Sequence, residues 1–99
     1  MTEKTFNNYI YLIKEREFAD IYKIGKTKQT SDKLLSTYPK GSVLLFYMIC
    51  NDYDDIETIL LNNFNQLFIK KQEIGNKYFQ GNHMKMIETI YNTILQEII

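Results

Sequence analysis

Residues 9–25 read YIYLIKEREFADIYKIG, and this stretch decides the fold. Asn8 to Lys14 is a β-branched and aromatic run of strand length. Lys14-Glu15-Arg16-Glu17 is a polar turn, and Ala19 to Ile24 resumes the strand character. Two such runs predict an antiparallel hairpin with a longer loop, ended by Gly25.

Beyond the hairpin, Lys26 to Thr30 is a polar connection. Ser31 is placed to cap a short helix through Leu34, Leu35 and Tyr38, stopped by Pro39 and Gly41. Val43 to Cys50 is almost continuously apolar, which predicts a strand covered on both faces and therefore the central one. Asn51 or Asp52 then caps a second helix that carries Ile56, Ile59, Leu60, Phe64, Leu67 and Phe68 on one face. Gly75-Asn76 marks a turn, Lys77-Tyr78-Phe79 a short extended piece and Gly81-Asn82 another break. From His83 on, Met84, Ile87, Tyr91, Ile94 and Ile98 recur at steps of three and four, the pattern of an amphipathic helix. Its apolar stripe serves either the core or a homodimer seam through residues 84–98; two heptads favour the core. The expected fold is α/β (α+β): one domain over residues 1–99, with a three-stranded, mainly antiparallel sheet flanked by helices.

Ninety-nine residues support one core and not two, so function must sit on one surface. Eight Tyr and six Phe supply bulky core material in the absence of Trp. The lone Cys50 has no partner in the chain and fits an intracellular protein without disulfides. Met1 to Phe6 lacks the basic-then-apolar order of a signal peptide, and no apolar stretch approaches the ~20 residues of a membrane helix. A soluble chain with no membrane partner is expected. Net charge is zero, which argues against coating nucleic acid by bulk attraction. The distribution is less neutral: Lys23, Lys26, Lys28, Lys33 and Lys40 face a single acid, Asp32, whereas Asp52, Asp54, Asp55 and Glu57 have no base among them. That is either a phosphate-binding strip beside a metal ligand, or a solvated loop beside a helix whose N-terminus favours carboxylates.

Tyr9-Ile10-Tyr11 followed by Tyr22-Lys23-Ile24-Gly25-Lys26-Thr27 resembles the paired motif of the GIY-YIG endonuclease superfamily. More closely, it is similar to the T5orf172-like branch found in phages and large DNA viruses. The resemblance runs on through Tyr38-Pro39-Lys40-Gly41-Ser42, Asp55-Ile56-Glu57 and Gly75-Asn76-Lys77-Tyr78-Phe79, so it covers nearly the whole chain. It implies a one-metal phosphodiesterase taking Mg2+ or Mn2+. Charge grows on the phosphoryl oxygens during attack, and a hard cation on a carboxylate with a nearby basic group stabilises it. By this resemblance Tyr11 assists the attacking water, Glu57 binds the metal, and Lys23 and Lys33 contact the scissile phosphate. Tyr9, Lys26, Lys28 and Lys40 would contact DNA. Three positions depart from the pattern. Tyr9 stands where the first motif has glycine, and Lys23 coincides with the second-motif tyrosine, leaving Tyr22 for the opposite face of the strand. Lys33 occupies the place of a helix arginine, because the only arginine is Arg16; lysine keeps the charge and loses the bidentate fork.

The implied function is a divalent-metal-dependent DNA endonuclease, in the cytoplasm or nucleus of an infected cell if the protein is viral. The alternatives are a DNA-binding module that has lost cleavage, and a viral interaction protein dimerising through its last helix. Outside the motif order the tyrosines read as strand aromatics, Glu57 as a helix-start carboxylate and Lys26, Lys28 and Lys40 as solvated loop residues. His83 reads as a surface or capping residue.

Overall fold

The computed structural model describes residues 8–98. Strands β1 (Tyr9–Lys14) and β2 (Ile21–Thr27) form the expected antiparallel hairpin, with Tyr11 opposite Gly25 and Ile13 opposite Lys23. Gly25 does not end the second strand but lies inside it, because β2 stays paired to β1 as far as Thr27 opposite Tyr9. Helix α1 (Ser31–Ser36) follows, capped by Thr30 rather than Ser31: the Thr30 hydroxyl accepts from the Lys33 N–H at 3.4 Å. Strand β3 (Val43–Ile49), helix α2 (Tyr53–Leu67), strands β4 (Ile69–Lys70) and β5 (Tyr78–Gln80), and helix α3 (His83–Ile98) complete the chain.

The fold is α+β with an antiparallel sheet flanked by three helices, and the sheet has five strands rather than three. The order is β3-β1-β2-β5-β4. The two extra strands are too short to carry a strand pattern in the sequence. β5 owes its place to Phe79, which is fully buried opposite Tyr22 while Lys23 pairs with Tyr78. The apolar run of β3 likewise misplaces it. It is an edge strand, not the central one, and its five inner side chains are half-buried because they pack into the cores on both faces of the sheet. β1 is the strand truly enclosed: Ile10, Tyr11, Leu12 and Ile13 are all buried.

Alternation along the strands divides the interior in two. Ile10 and Leu12 of β1, Tyr22 and Ile24 of β2 and Phe79 of β5 face Ile56, Leu60 and Phe64 of α2 and Met86, Ile90 and Ile94 of α3. Each of the fully buried side chains contributes about 1.5–3 kcal/mol relative to exposure, so this larger core carries most of the stability. On the other face Tyr11 and Ile13 pack with Leu34 of α1, joined by Leu35, Tyr38, Leu44 and Tyr47. In α3 the inward residues are Met86, Ile90, Thr93 and Ile94, whereas Met84 and Tyr91 are 62% and 46% exposed. The residue set expected as one stripe is thus split: Ile94 belongs to the core, and Met84 and Tyr91 face out. No helix among the described residues is long and apolar enough to cross a membrane.

Candidate active site

β5 pairs with β2 only as far as Lys23, so the sheet opens beside Gly25. Past that point one further bond holds the edge, from the Ile24 N–H to the Lys77 carbonyl at 3.0 Å. The opening is a cleft of about 440 Å³ lined by Tyr11, Lys23, Gly25, Lys26, Asn76, Lys77 and Tyr78.

Gly25 makes room for Tyr11. A Cβ at Gly25 would lie 2.6 Å from the Tyr11 hydroxyl oxygen and 2.7 Å from Cζ. The ring therefore lies across β2, and its hydroxyl shares a 2.8 Å hydrogen bond with that of Tyr38, just beyond α1. Lys23, on the same sheet face, sets its ammonium 5.1 Å from the centre of the Tyr38 ring and 5.8 Å from that of Tyr78. Both aromatic faces attract the cation and fix it at the cleft wall. The Tyr78 hydroxyl in turn donates to the Glu15 carboxylate.

Glu57 lies one turn into α2, with its side chain 8% exposed. Two ammonium groups enclose it: Lys77 Nζ is 2.7 Å from Oε2 and Lys26 Nζ is 3.4 Å from Oε1. Lys26 also pairs with Asp54. Oε2 is buried and accepts no hydrogen bond, so the Lys77 ammonium stands at ion-pair distance but outside hydrogen-bond geometry.

Burial pushes the Tyr11 phenol well above its ordinary range, reinforced by the Tyr38 hydrogen bond and opposed by Lys23. Tyr78 is raised by burial and then by Glu15, and Tyr38 by burial. At neutral pH all three keep their protons, with Tyr78 donating to Glu15 and the Tyr11 and Tyr38 hydroxyls sharing one hydrogen bond. The folded state binds these protons more tightly than the unfolded chain, whose tyrosines titrate near 10.0. Their contribution is complete below that pH and is lost as pH rises above it. Urea midpoints should accordingly hold level up to about pH 10 and then fall, with a shallower fall in Tyr11→Phe.

Of the residues singled out from sequence, Tyr11, Lys23 and Lys26 meet in the cleft, and Glu57 stands behind it against Lys26 and Lys77. Tyr9 lies further along the same face and stacks on Tyr47 at 4.4 Å. Lys33 is exposed on α1, and Lys28 is exposed in the loop before it; neither lines the cleft. Lys40 borders a separate hollow with Asp32, Tyr38 and Ser42. Tyr22 faces the main core, where it meets His83 at 3.4 Å. Sequence reasoning missed Tyr38, Lys77 and Tyr78 as site residues. All three fall in the Tyr38-Pro39-Lys40-Gly41-Ser42 and Gly75-Asn76-Lys77-Tyr78-Phe79 segments, whose presence was the available signal.

A family model for the T5orf172 domain matches residues 8–96. The chain belongs to the T5orf172 domain family. The match runs from β1 into the last turns of α3, so every element that shapes the cleft lies inside the T5orf172 domain. Membership gives the chain a nuclease-like or DNA-binding character. Among curated proteins and solved structures the chain has no match.

Proposed function

We propose that this T5orf172 domain is a divalent-metal-dependent DNA endonuclease of GIY-YIG type, hydrolysing a phosphodiester in the cleft beside Gly25. The observation that carries this reading is the convergence of three lysines (Lys23, Lys26, Lys77) and a protonated phenol (Tyr11) on one opening, with a buried carboxylate that faces two of the ammonium groups. A phosphodiester has the complementary charge and hydrogen-bond acceptors.

Each residue has a role in that chemistry. Lys23, held between two rings, presents a fixed positive charge to the non-bridging oxygens. The Tyr11 hydroxyl orients the attacking water by hydrogen bonding, and Tyr38 fixes the direction of that hydroxyl. Because Tyr11 keeps its proton, it positions water and does not deprotonate it. Lys28, Lys33 and Lys40, all on or beside α1, take the flanking phosphates. For the metal, no cluster of three or more His, Cys, Asp or Glu exists among the described residues. A protein cage is therefore not what the described residues offer. A single carboxylate completed by water and substrate oxygens suits Mg2+ or Mn2+, and Glu57 fits in charge and burial, its Oε2 accepting no hydrogen bond although the Lys77 ammonium faces it at 2.7 Å. When bound there, the cation would polarise a phosphoryl oxygen as a Lewis acid.

The test is nicking of supercoiled plasmid by purified protein with added Mg2+ or Mn2+. Cleavage is expected for the wild type, with Tyr11→Phe slower by about tenfold or more. Absence of nicking with either cation removes the nuclease reading. A second reading, a DNA-binding module without cleavage, is favoured by the ammonium groups that already face both Glu57 oxygens. It predicts DNA retention that falls steeply with salt and weakens in Lys28→Ala, with no nicking in any cation.

A further inference from the structure

We propose that Lys77 is a resident counter-cation of Glu57 that DNA withdraws, so that metal binding at Glu57 is coupled to DNA binding. This rests on the reading of Glu57 as the metal carboxylate.

The backbone of Lys77 is pinned. Its carbonyl accepts from Ile24 at 3.0 Å, and the next residue, Tyr78, is already paired in β5 opposite Lys23. Only the side chain is left to move. Lys77 lines the cleft with its side chain 36% exposed, and its ammonium reaches to 2.7 Å from Glu57 Oε2. It thus has two anionic destinations within the reach of one four-carbon stem: the buried carboxylate, and any phosphate seated in the cleft.

Its neighbour Lys26 is held differently. Lys26 is paired to Asp54 as well as Glu57, so it has a second anchor on α2. Among the described residues the ion pair of Lys77 is with Glu57 alone. The contact is an ion pair whose geometry falls short of a hydrogen bond to Oε2. A divalent cation and an ammonium cannot share Oε2 in a site largely screened from water, whereas Lys26 stands 3.4 Å from the other oxygen and keeps Asp54 as a partner. Metal entry must therefore expel Lys77. In the free protein the expelled ammonium has nowhere better to go than solvent. With a phosphodiester in the cleft it gains a second partner, and the carboxylate is released to the metal. The order that follows is DNA first and metal second, which keeps the metal site closed away from substrate. Linkage makes the effect reciprocal: whatever factor DNA adds to metal affinity, metal adds to DNA affinity.

The experiment is calorimetric titration of Mn2+ into the full chain, with and without a saturating short duplex carrying uncleavable phosphorothioate linkages. For the wild type, the duplex should raise Mn2+ affinity by about fivefold or more. Lys77→Met should bind Mn2+ about tenfold more tightly than the wild type without DNA, and should gain less than about twofold on adding the duplex. Glu57→Gln should lose Mn2+ binding in every case. Lys77→Met binding no tighter than the wild type, while Glu57→Gln loses binding, overturns the counter-cation role and leaves metal at Glu57 standing. Glu57→Gln binding like the wild type overturns both. The wild-type arm does not depend on any variant folding: equal Mn2+ affinity with and without duplex overturns the coupling directly.

Discussion

Gly25→Ala is expected to lower stability by about 1–3 kcal/mol, the range for forcing a methyl into a packed position, and to remove nicking with it. The new Cβ would meet the Tyr11 hydroxyl oxygen at 2.6 Å and Cζ at 2.7 Å, far inside contact distance. Neither side has room to yield. Tyr11 is 5% exposed, packed against Leu34 and Ile13 and tied at its hydroxyl to Tyr38. On the other side, Gly25 lies inside β2, in register with Tyr11 and flanked by the Leu12–Ile24 and Ile10–Lys26 pairs. Withdrawing the backbone would break the hairpin ladder. The ring must leave, and with it the hydroxyl that the cleft depends on. Urea unfolding and plasmid nicking on the same preparation check both halves. The discriminating measurement is the double-mutant cycle with Tyr11→Ala: if the clash is the cause, Gly25→Ala in the Tyr11→Ala background should change stability by less than about 0.5 kcal/mol. An undiminished loss there would assign the glycine a backbone role instead.

That glycine shows what was legible in the sequence and what was not. The hairpin, the helix at α2 and the final helix follow from local patterns that the structure retains, because strand and helix periodicities are set by neighbours a few residues apart. What Gly25 does is not local. Read alone it looks like a strand terminator; its meaning comes from Tyr11, fourteen positions away, reached only through the β1–β2 register. The same holds for β5, three residues placed by Phe79 entering a core built from other elements. It holds also for β3, whose continuous apolar run records cover on two faces and not a central position. The site divides likewise. Tyr11, Lys23 and Glu57 stand out through motif order, whereas Lys77, though inside the segment of residues 75–79, takes its importance from a 2.7 Å approach to a carboxylate twenty residues before it.

Glu57→Ala should move cleavage and DNA affinity in opposite directions. Nicking is expected to fall by about 10²-fold or more, as for loss of a group that holds transition-state charge. Retention of DNA should rise, because Lys77 loses the one carboxylate it pairs with among the described residues and Lys26 is left with Asp54 alone. When the Lys77 ammonium turns to phosphate, the slope of log affinity against log salt steepens by about 0.9 for that added contact. Stability should change little by comparison. Removing one member of a buried pair is severe when the partner is left buried, but here the partners are long lysine side chains about a third exposed, with water within reach. A merely structural carboxylate gives a different signature: its loss loosens α2 against β2, and cleavage and DNA retention fall together with the unfolding midpoint. Nicking, salt-dependent DNA retention and urea unfolding of wild type and Glu57→Ala therefore separate the two. Reduced DNA affinity in a variant that is still folded would refute the assignment of Glu57 as the charge that holds this cleft in balance.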